Sequence, residues 1–370
     1  MKQGINVLSF FDGMSAGQDA LRQLGVKVNR YIAIEIEPKA IAITQANFPN
    51  TEQRGDILLL YTDMKNFVAT LPKIDLIFAG SPCQGFSRSG KGEGFEHPRS
   101  KLFFTFVEIF NEIKAQQNNP DIPFFFENVV MHQKWAKEIS KTLGVKEELY
   151  QAMLYSPNSR SRFYWTNLNP PKAIIEKYKQ ESGWKTYQDI LVTKSPSVSR
   201  VVQKPDISKA GKSAKNKFNW YKTKRSWSLG SLYHNHSQGY RVGKINIKMP
   251  CFTASGRGVN KGLGAYGFDA NNFLKESISL IKQTPDPLII TPSQIQAQKL
   301  GITETTYIVC RPAFSEALEA MGFSSDYFDE KSVQLLSEAD KIRGIGNSWH
   351  VTIVKLLIEW YCRTNGWMNK

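Results

Sequence analysis

The chain of 370 residues has no GxGxxG loop, no CxxC pair, no internal repeat and no long apolar run. Without an apolar stretch near the roughly 20 residues that span a bilayer, no transmembrane helix is expected. Met1-Lys2-Gln3-Gly4 leads straight into a strand-like segment, with no apolar core of a signal peptide. The expected location is therefore the cytoplasm, away from membranes. The four cysteines, Cys83, Cys251, Cys310 and Cys362, lie too far apart for a zinc ribbon or a disulfide framework. They fit a reducing compartment, where a thiol stays free to react. Histidine is scarce, and His234 and His236 have no further Cys, His or Asp cluster beside them. No metal site is expected. The missing glycines of a pyrophosphate loop disfavour a dinucleotide cofactor.

Acidic residues are also few, 33 Asp and Glu against 48 Lys and Arg, for a net charge of +15. Nearly all the excess falls in residues 171–250, which hold 17 basic and 4 acidic side chains. Trp184, Trp220, Tyr221, Trp227, Tyr233 and Tyr240 are interleaved there. Basic residues mixed with aromatics and glycine fit a nucleic-acid surface better than plain solubility.

Residues 1–130 alternate between strand and helix patterns, which predicts a parallel sheet with helices on both faces. Strands are expected at Asn6 to Phe10, Tyr31 to Ile34, Ile74 to Gly80 and Pro123 to Phe126. Helices are expected at Ser15 to Leu24, Pro38 to Phe48 and Leu102 to Lys114. Gly25 stops the first helix and Pro38 opens the second. From about 170 to 250 the periodicity fades into Ser-, Lys- and Gly-rich stretches, as in Ser208 to Lys217. Helical spacing returns at Arg311 to Met321 and at Ser348 to Tyr361, the last helix packing back on the first sheet. The expected division is a catalytic and cofactor-binding unit at 1–169, a small basic recognition domain at 170–250, and a return to the first unit at 251–370.

Six motifs or single residues carry the chemistry, most of them at expected strand ends. Phe10-Phe11-Asp12-Gly13-Met14-Ser15-Ala16-Gly17 is a glycine-bearing turn between strand and helix, where a ligand can approach backbone closely. Glu35 ends the next strand and can hold both hydroxyls of a ribose. Asp56, after Arg54-Gly55, is placed to accept from an adenine amino group. Gly80-Ser81-Pro82-Cys83-Gln84-Gly85 carries a cysteine past the sheet's C-terminal edge, ahead of a loop with Ser87, Arg88, Ser89, Gly90, Lys91, Gly92 and Gly94. That composition suits a loop that closes over a substrate. Glu127 follows three phenylalanines, so burial should raise its pKa and make it a proton donor. Arg160 and Arg162 alternate on a strand-like stretch and point to one face, where they require an anion or polar ligand.

This ordered set resembles the cytosine-5 DNA methyltransferase family, in a stand-alone prokaryotic or phage form. Phe-Asp-Gly-Met-Ser-Ala-Gly looks like its cofactor loop, and Ser-Pro-Cys-Gln like its nucleophile motif. Glu127-Asn128-Val129 and Arg160-Ser161-Arg162 look like its base-binding motifs. Arg311-Pro312 through Phe323 resembles the helix that supports target recognition, and Gly346-Asn347-Ser348 its closing cofactor motif. Ser15, Ala16 and Ser81 depart from the usual glycines and proline towards the vertebrate de novo subgroup. The resemblance implies a Rossmann-like α/β sheet that binds S-adenosylmethionine and releases S-adenosylhomocysteine. It implies Phe11, Asp12, Gly13, Ser15, Glu35, Ile36, Asp56, Ile57, Pro82, Asn347 and Ser348 as cofactor residues. Phe11 would stack on adenine, Glu35 hold ribose, and Asp56 with Ile57 border adenine.

Cys83, Glu127, Arg160 and Arg162 are the implied catalytic residues. Carbon 5 of cytosine is too weak a nucleophile alone, and thiolate attack at carbon 6 makes it enamine-like. A protonated Glu127 on N3 and an arginine on O2 promote that attack. In double-stranded DNA the base must first be flipped out of the stack. A restriction endonuclease is a conceivable partner of such a protein. Three other readings compete. Cys251-Phe252-Thr253 matches a tripeptide of tRNA cytosine methyltransferases in the same family, although Thr253-Ala254-Ser255 also fits the DNA enzymes. A catalytically silent DNA-binding relative is opposed by the intact Cys83, Glu127 and arginines. Altered chemistry, with a modified donor or base, is the third.

Overall fold

The computed structural model describes residues 4–86, 92–182, 233–235, 239–241, 266–269, 289–290, 307–310, 314–327 and 336–368. Its centre is a seven-stranded sheet. The strands are β1 (Ile5–Phe10), β2 (Val28–Ile34), β3 (Glu52–Gln53), β4 (Leu76–Ala79), β5 (Phe124–Val129), β6 (Glu147–Gln151) and β7 (Ser161–Thr166). Their order is β3-β2-β1-β4-β5-β7-β6. β3, β2, β1, β4 and β5 run parallel, while β7 is antiparallel to both β5 and β6. The strand order reverses between β1 and β4, and ligands of open α/β sheets bind at the carboxyl ends beside such a switch.

Helices cover both faces because the parallel strands are apolar on both sides. Val7, Leu76, Phe78, Phe125 and Tyr164 face one layer, and Leu8, Phe10, Ile77, Phe124, Phe126 and Trp165 the other. The second layer is built from α3 (Ile57–Thr62), α4 (Met64–Ala69), α5 (Leu102–Gln116) and α6 (Gln133–Leu143). The first holds α1 (Ala16–Gln23), α2 (Pro38–Asn47), α7 (Lys172–Ser182) and three later helices. These are α8 (Phe314–Ala320), α9 (Glu338–Asn347) and α10 (Val351–Thr364). Ala20 and Leu21 of α1 share a core with Val351, Val354 and Ile358 of α10, so the chain's last helix does return to the first sheet. Gly25 follows α1 at φ 67°, the left-handed stop expected of it.

Expected and observed elements agree to within a few residues. The difference of consequence is at 158–164, where β7 begins only at Ser161 and Arg160 lies ahead of the strand. Most of the basic segment, Ser87 to Lys91, Cys251 to Ser255, Arg311-Pro312 and His236 lie outside the described residues. Short strands β8 (Tyr233–Asn235), β9 (Gly239–Arg241), β10 (Tyr266–Asp269), β11 (Ile289–Ile290) and β12 (Tyr307–Cys310) fall in that region. β8 pairs with β9, and β12 pairs with β10 and β11. Among the described residues no helix is long and apolar enough to cross a membrane. No group of three or more His, Cys, Asp or Glu side chains is placed to hold a metal among them either.

Candidate active site

Two adjoining sets of side chains gather at the carboxyl edge of the sheet. The first surrounds the turn after β1. Phe11, Gly13 and Ser15 all have positive φ, at 56°, 58° and 54°. Two of the three are not glycine, and a β-carbon in the left-handed region costs about 1 kcal/mol or more. The turn therefore needs external support, and several elements supply it. Glu35, just past β2, accepts from the Gly13 amide at 2.8 Å through Oε2. Its other oxygen accepts from the amides of Ile36 and Glu37 at 2.8 and 2.9 Å. Thr44 of α2 donates to the Ser15 hydroxyl at 3.1 Å, and the Tyr327 hydroxyl donates to the Met14 carbonyl. Asp56 caps α3, accepting from the Leu58 amide at 2.9 Å. Ile36 is 62% exposed, an apolar side chain standing open beside Glu35, whereas Ile57 is buried.

Asp12 differs from its neighbours. Its carboxylate is buried and accepts from Ser9 Oγ at 2.5 Å, from Tyr31 Oη at 2.8 Å and from Ser15 Oγ. Burial pushes its pKa up to about 6, against the pull of those three hydroxyls. The Asp12 carboxylate and the Ser15 hydroxyl are thus turned inward, away from any ligand in the turn.

The second set follows β4 and β5. Gly80 lies so close to Trp349 that a β-carbon there would stand 2.4 Å from the indole nitrogen. Ser81, Pro82 and Cys83 continue from it, and Asn128 of β5 donates to the Ser81 carbonyl at 3.1 Å. That bond fixes the cysteine turn to the neighbouring strand. The Cys83 carbonyl accepts from the Phe86 amide at 3.0 Å. Gly85 is bonded to Gly94 through a 2.9 Å backbone bond and to Ser100 Oγ at 3.2 Å, so both stems of the 87–91 segment are anchored. Cys83 is partly exposed. Burial and the Glu127 carboxylate push its thiol pKa up, and Arg162 and Arg160 pull it down.

Glu127 and Arg162 form a buried ion pair, Nε to Oε1 at 2.9 Å. The antiparallel register makes the pair, because Glu127 faces Tyr164 and Val129 faces Arg162, leaving Arg162 diagonal to the carboxylate. Burial raises the pKa of Glu127, opposed by Arg162 and then Arg160. The direction matches the expectation drawn from its three preceding phenylalanines.

Arg160 departs from expectation. Its guanidinium donates to the Gly346 carbonyl at 3.2 and 3.3 Å and to the Ser348 carbonyl at 2.8 Å. The two arginines therefore do not wait side by side for one anion. Arg162 pairs with Glu127, and Arg160 ties the strand entry to the closing motif. The reason is the late start of β7, which frees Arg160 from strand alternation. Replacing Arg160 with methionine, which keeps most of the packing, is expected to cost about 2–3 kcal/mol. Thermal unfolding measures it, and an unchanged melting temperature would refute this anchoring role.

Ser348 is buried with its Oγ on the Trp349 carbonyl, and Asn347 is exposed at the end of α9. Residue reasoning passed over Asn128, Tyr31, Trp349 and Tyr327. Asn128 sits inside the Glu-Asn-Val motif and was readable there. The other three are aromatics, indistinguishable in sequence from core residues.

A doubly covered α/β sheet thus carries a strained turn after β1, and a cysteine, a buried glutamate and an arginine at the carboxyl edge of β4 and β5, where open α/β sheets bind ligands. Solved structures share the fold. Dnmt2 methyltransferase of S. pombe superposes with TM-score 0.63 at 20% identity, over 98% of this chain and 99% of that one. The methyltransferase EhMeth of Entamoeba histolytica gives 0.64 at 17%, over 98% and 99%. The family model described as C-5 cytosine-specific DNA methylase matches residues 5–360, and the chain belongs to that family. Among curated relatives, the type II methyltransferase M.NlaIV of Neisseria lactamica is 28% identical over 250 residues, 61% of this chain and 57% of that protein. The orphan methyltransferase M.Rho11sI of Bacillus phage rho11s is 33% identical over 197 residues, 48% of this chain and 36% of that protein. The chain thus matches only about half, or less, of the length of these relatives.

Proposed function

We propose that this protein is a DNA (cytosine-5)-methyltransferase that takes its methyl group from S-adenosylmethionine. The observation that carries the reading is the meeting of Cys83, Glu127 and Arg162 at the sheet's carboxyl edge, beside the supported turn at 11–15. The turn fits that cofactor. Gly13 leaves open space where a β-carbon would stand, Glu35 and Asp56 put carboxylates at neighbouring strand ends, and Ile36 offers an apolar face. No phosphate cradle is needed for a ligand that carries none. Phe11, Pro82 and Asn347 complete the contacts.

When bound, S-adenosylmethionine supplies an electrophilic methyl group. The chain's own side chains prepare the base. Cys83 Sγ, as thiolate, forms a bond to carbon 6 of a flipped cytosine. Protonated Glu127 hydrogen-bonds N3 and gives it a proton as the ring's electrons move, leaving carbon 5 nucleophilic. Arg162, held by Glu127, offers its remaining N–H groups to O2. After carbon 5 is methylated, its proton passes to solvent, the Cys83–carbon 6 bond breaks and N3 returns its proton to the Glu127 carboxylate, restoring the thiolate, the acid and an aromatic base.

Double-stranded DNA is the favoured substrate because the named relatives are type II and orphan methyltransferases of bacteria and phage. The excess of 13 positive charges in 171–250 agrees with a polyanion, and we assign 170–250 to target recognition within a catalytic frame formed by 1–169 and 251–370. A tRNA substrate is the second reading, carried by Cys251-Phe252-Thr253. With the DNA reading go the cytoplasm as its place and, by likeness to the type II relative, a restriction endonuclease as a candidate partner. Incubation with labelled S-adenosylmethionine and either duplex DNA or tRNA tests it, with bisulfite sequencing to locate the product. Label at carbon 5 of cytosine within a short DNA motif is expected. Label confined to tRNA would transfer the assignment, and no label in either would overturn it.

A further inference from the structure

Asp12 stands in the cofactor turn by sequence, yet its carboxylate never reaches the ligand side. It is buried, with hydroxyls from three places converging on it. Ser9 donates from β1, Tyr31 from β2 and Ser15 from the turn itself. Ser15 is the left-handed residue that starts α1, and no side-chain cap of its own holds that helix end. Thr44 extends the network to α2. We propose that Asp12 is a positioning residue, whose ionised carboxylate holds the cofactor turn in its ligand-ready shape and so makes cofactor affinity depend on pH. The inference rests on the reading of 11–15 as a cofactor turn.

The chemistry of the acceptor carries the argument. An ionised carboxylate only accepts, so it satisfies three donating hydroxyls at once. A protonated one carries a donor of its own, so at least one of the three hydroxyls must reverse its role, accept that proton and send its own O–H elsewhere. Ser15 is the most consequential of the three, since its backbone is the strained one. The groups facing Asp12 are Tyr31 and Glu35 from β2 and its end, Ser9 from β1, Ser15 from the turn, and Tyr327, which bonds the Met14 carbonyl. Glu35 adds negative charge that opposes ionisation of Asp12. With a raised value of about 6, the ionised network is complete above that pH and is lost as pH falls through it. A ligand bearing an ammonium group favours the ionised state, and by linkage its binding draws a proton off Asp12.

The test uses the full chain and S-adenosylhomocysteine, with binding measured by calorimetry from pH 5 to 8. Wild-type affinity is expected to fall about tenfold as pH drops from 7.5 to 5. Asp12→Asn is expected to bind about tenfold more weakly at pH 7.5 and to lose most of that pH dependence. Tyr31→Phe removes one donor that favours the charged form, so its midpoint is expected to move to higher pH. A merely structural tyrosine would lower affinity without moving the midpoint. Tyr31→Phe also keeps the test open if Asp12→Asn does not fold. An Asp12→Asn protein with wild-type affinity and pH profile would overturn the proposal, as would an unmoved midpoint in Tyr31→Phe. Complete failure of the wild-type chain to bind S-adenosylhomocysteine at any pH would instead strike the cofactor reading itself.

Discussion

Replacing Cys83 with alanine is expected to lower methyl transfer by at least about 10⁴-fold, with S-adenosylhomocysteine affinity unchanged. The size of the loss follows from the substrate. Without a bond at carbon 6, carbon 5 of cytosine has no usable nucleophilicity, and no other described side chain at the sheet edge is a thiol. Cys362 is buried on the far side, in the core of α10. Affinity survives because the turn at 11–15 and Glu35 belong to a different part of the edge. Serine is no substitute, since its hydroxyl is far less acidic than a thiol and Cys83 already titrates above its ordinary value. Single-turnover assays measure the loss. Duplex DNA bearing 5-fluorocytosine gives a second readout, because carbon 5 then has no proton to shed. Wild-type protein should stay attached to it covalently and the alanine variant should not. An alanine variant with more than about one-hundredth of wild-type turnover would end the covalent mechanism.

That the place of Cys83 at the sheet edge was legible in sequence, while the long-range partners around it were not, has a physical cause. Strand-to-loop positions are fixed by local pattern: apolar Leu76 to Ala79, then Gly80 and Pro82, place Cys83 at a sheet edge whatever the rest of the chain does. Glu35, directly after β2, and Glu127, after three phenylalanines within β5, were legible for the same reason, each being a charged residue that ends an apolar run. Partners separated by long stretches of chain carry no such local mark. Arg160 bonds to carbonyls nearly 190 residues away, and nothing in Arg-Ser-Arg distinguishes a side chain that meets a base from one that clamps Gly346 and Ser348. Alternation predicted one face for both arginines, and it failed because alternation holds only inside a strand, which begins one residue too late for Arg160.

Asp12 illustrates the same limit in the opposite direction. Its position in the motif implied contact with the cofactor, but the three hydroxyls that claim it come from Ser9, Ser15 and Tyr31. Two of these are sequence neighbours and one is a strand away. An acid in a ligand-binding turn can serve the ligand or the turn, and only burial decides between them. The side chains of Asp12 and Arg160 therefore bond within the protein, while Cys83 and Glu127 stand together at the sheet's carboxyl edge.

Glu127→Gln is expected to reduce kcat/KM by about 10²–10⁴-fold and to turn a nearly level pH profile into a rising one. Glutamine keeps an oxygen that accepts from Arg162, so the 2.9 Å contact and the packing under it can persist. What it lacks is a proton to give to N3. Burial raises the pKa of Glu127, so the native protein retains the acid form to higher pH than a free glutamate would. The acid form is the active one, and its loss with rising pH is offset by the gain of Cys83 thiolate, whose own value is pushed up. Between the two values the native kcat/KM is therefore nearly level. In Glu127→Gln only the thiolate dependence remains, so kcat/KM should rise with pH over the same range. Glu127→Ala separates chemistry from stability: it strands the Arg162 guanidinium in a buried site, at a cost of about 3–5 kcal/mol that Glu127→Gln avoids. Profiles of kcat/KM between pH 5.5 and 9, with melting curves for both variants, measure these outcomes. A glutamine variant that keeps more than about one-tenth of wild-type kcat/KM, or that retains the level profile, would remove Glu127 from proton transfer and leave it only as the anchor of Arg162.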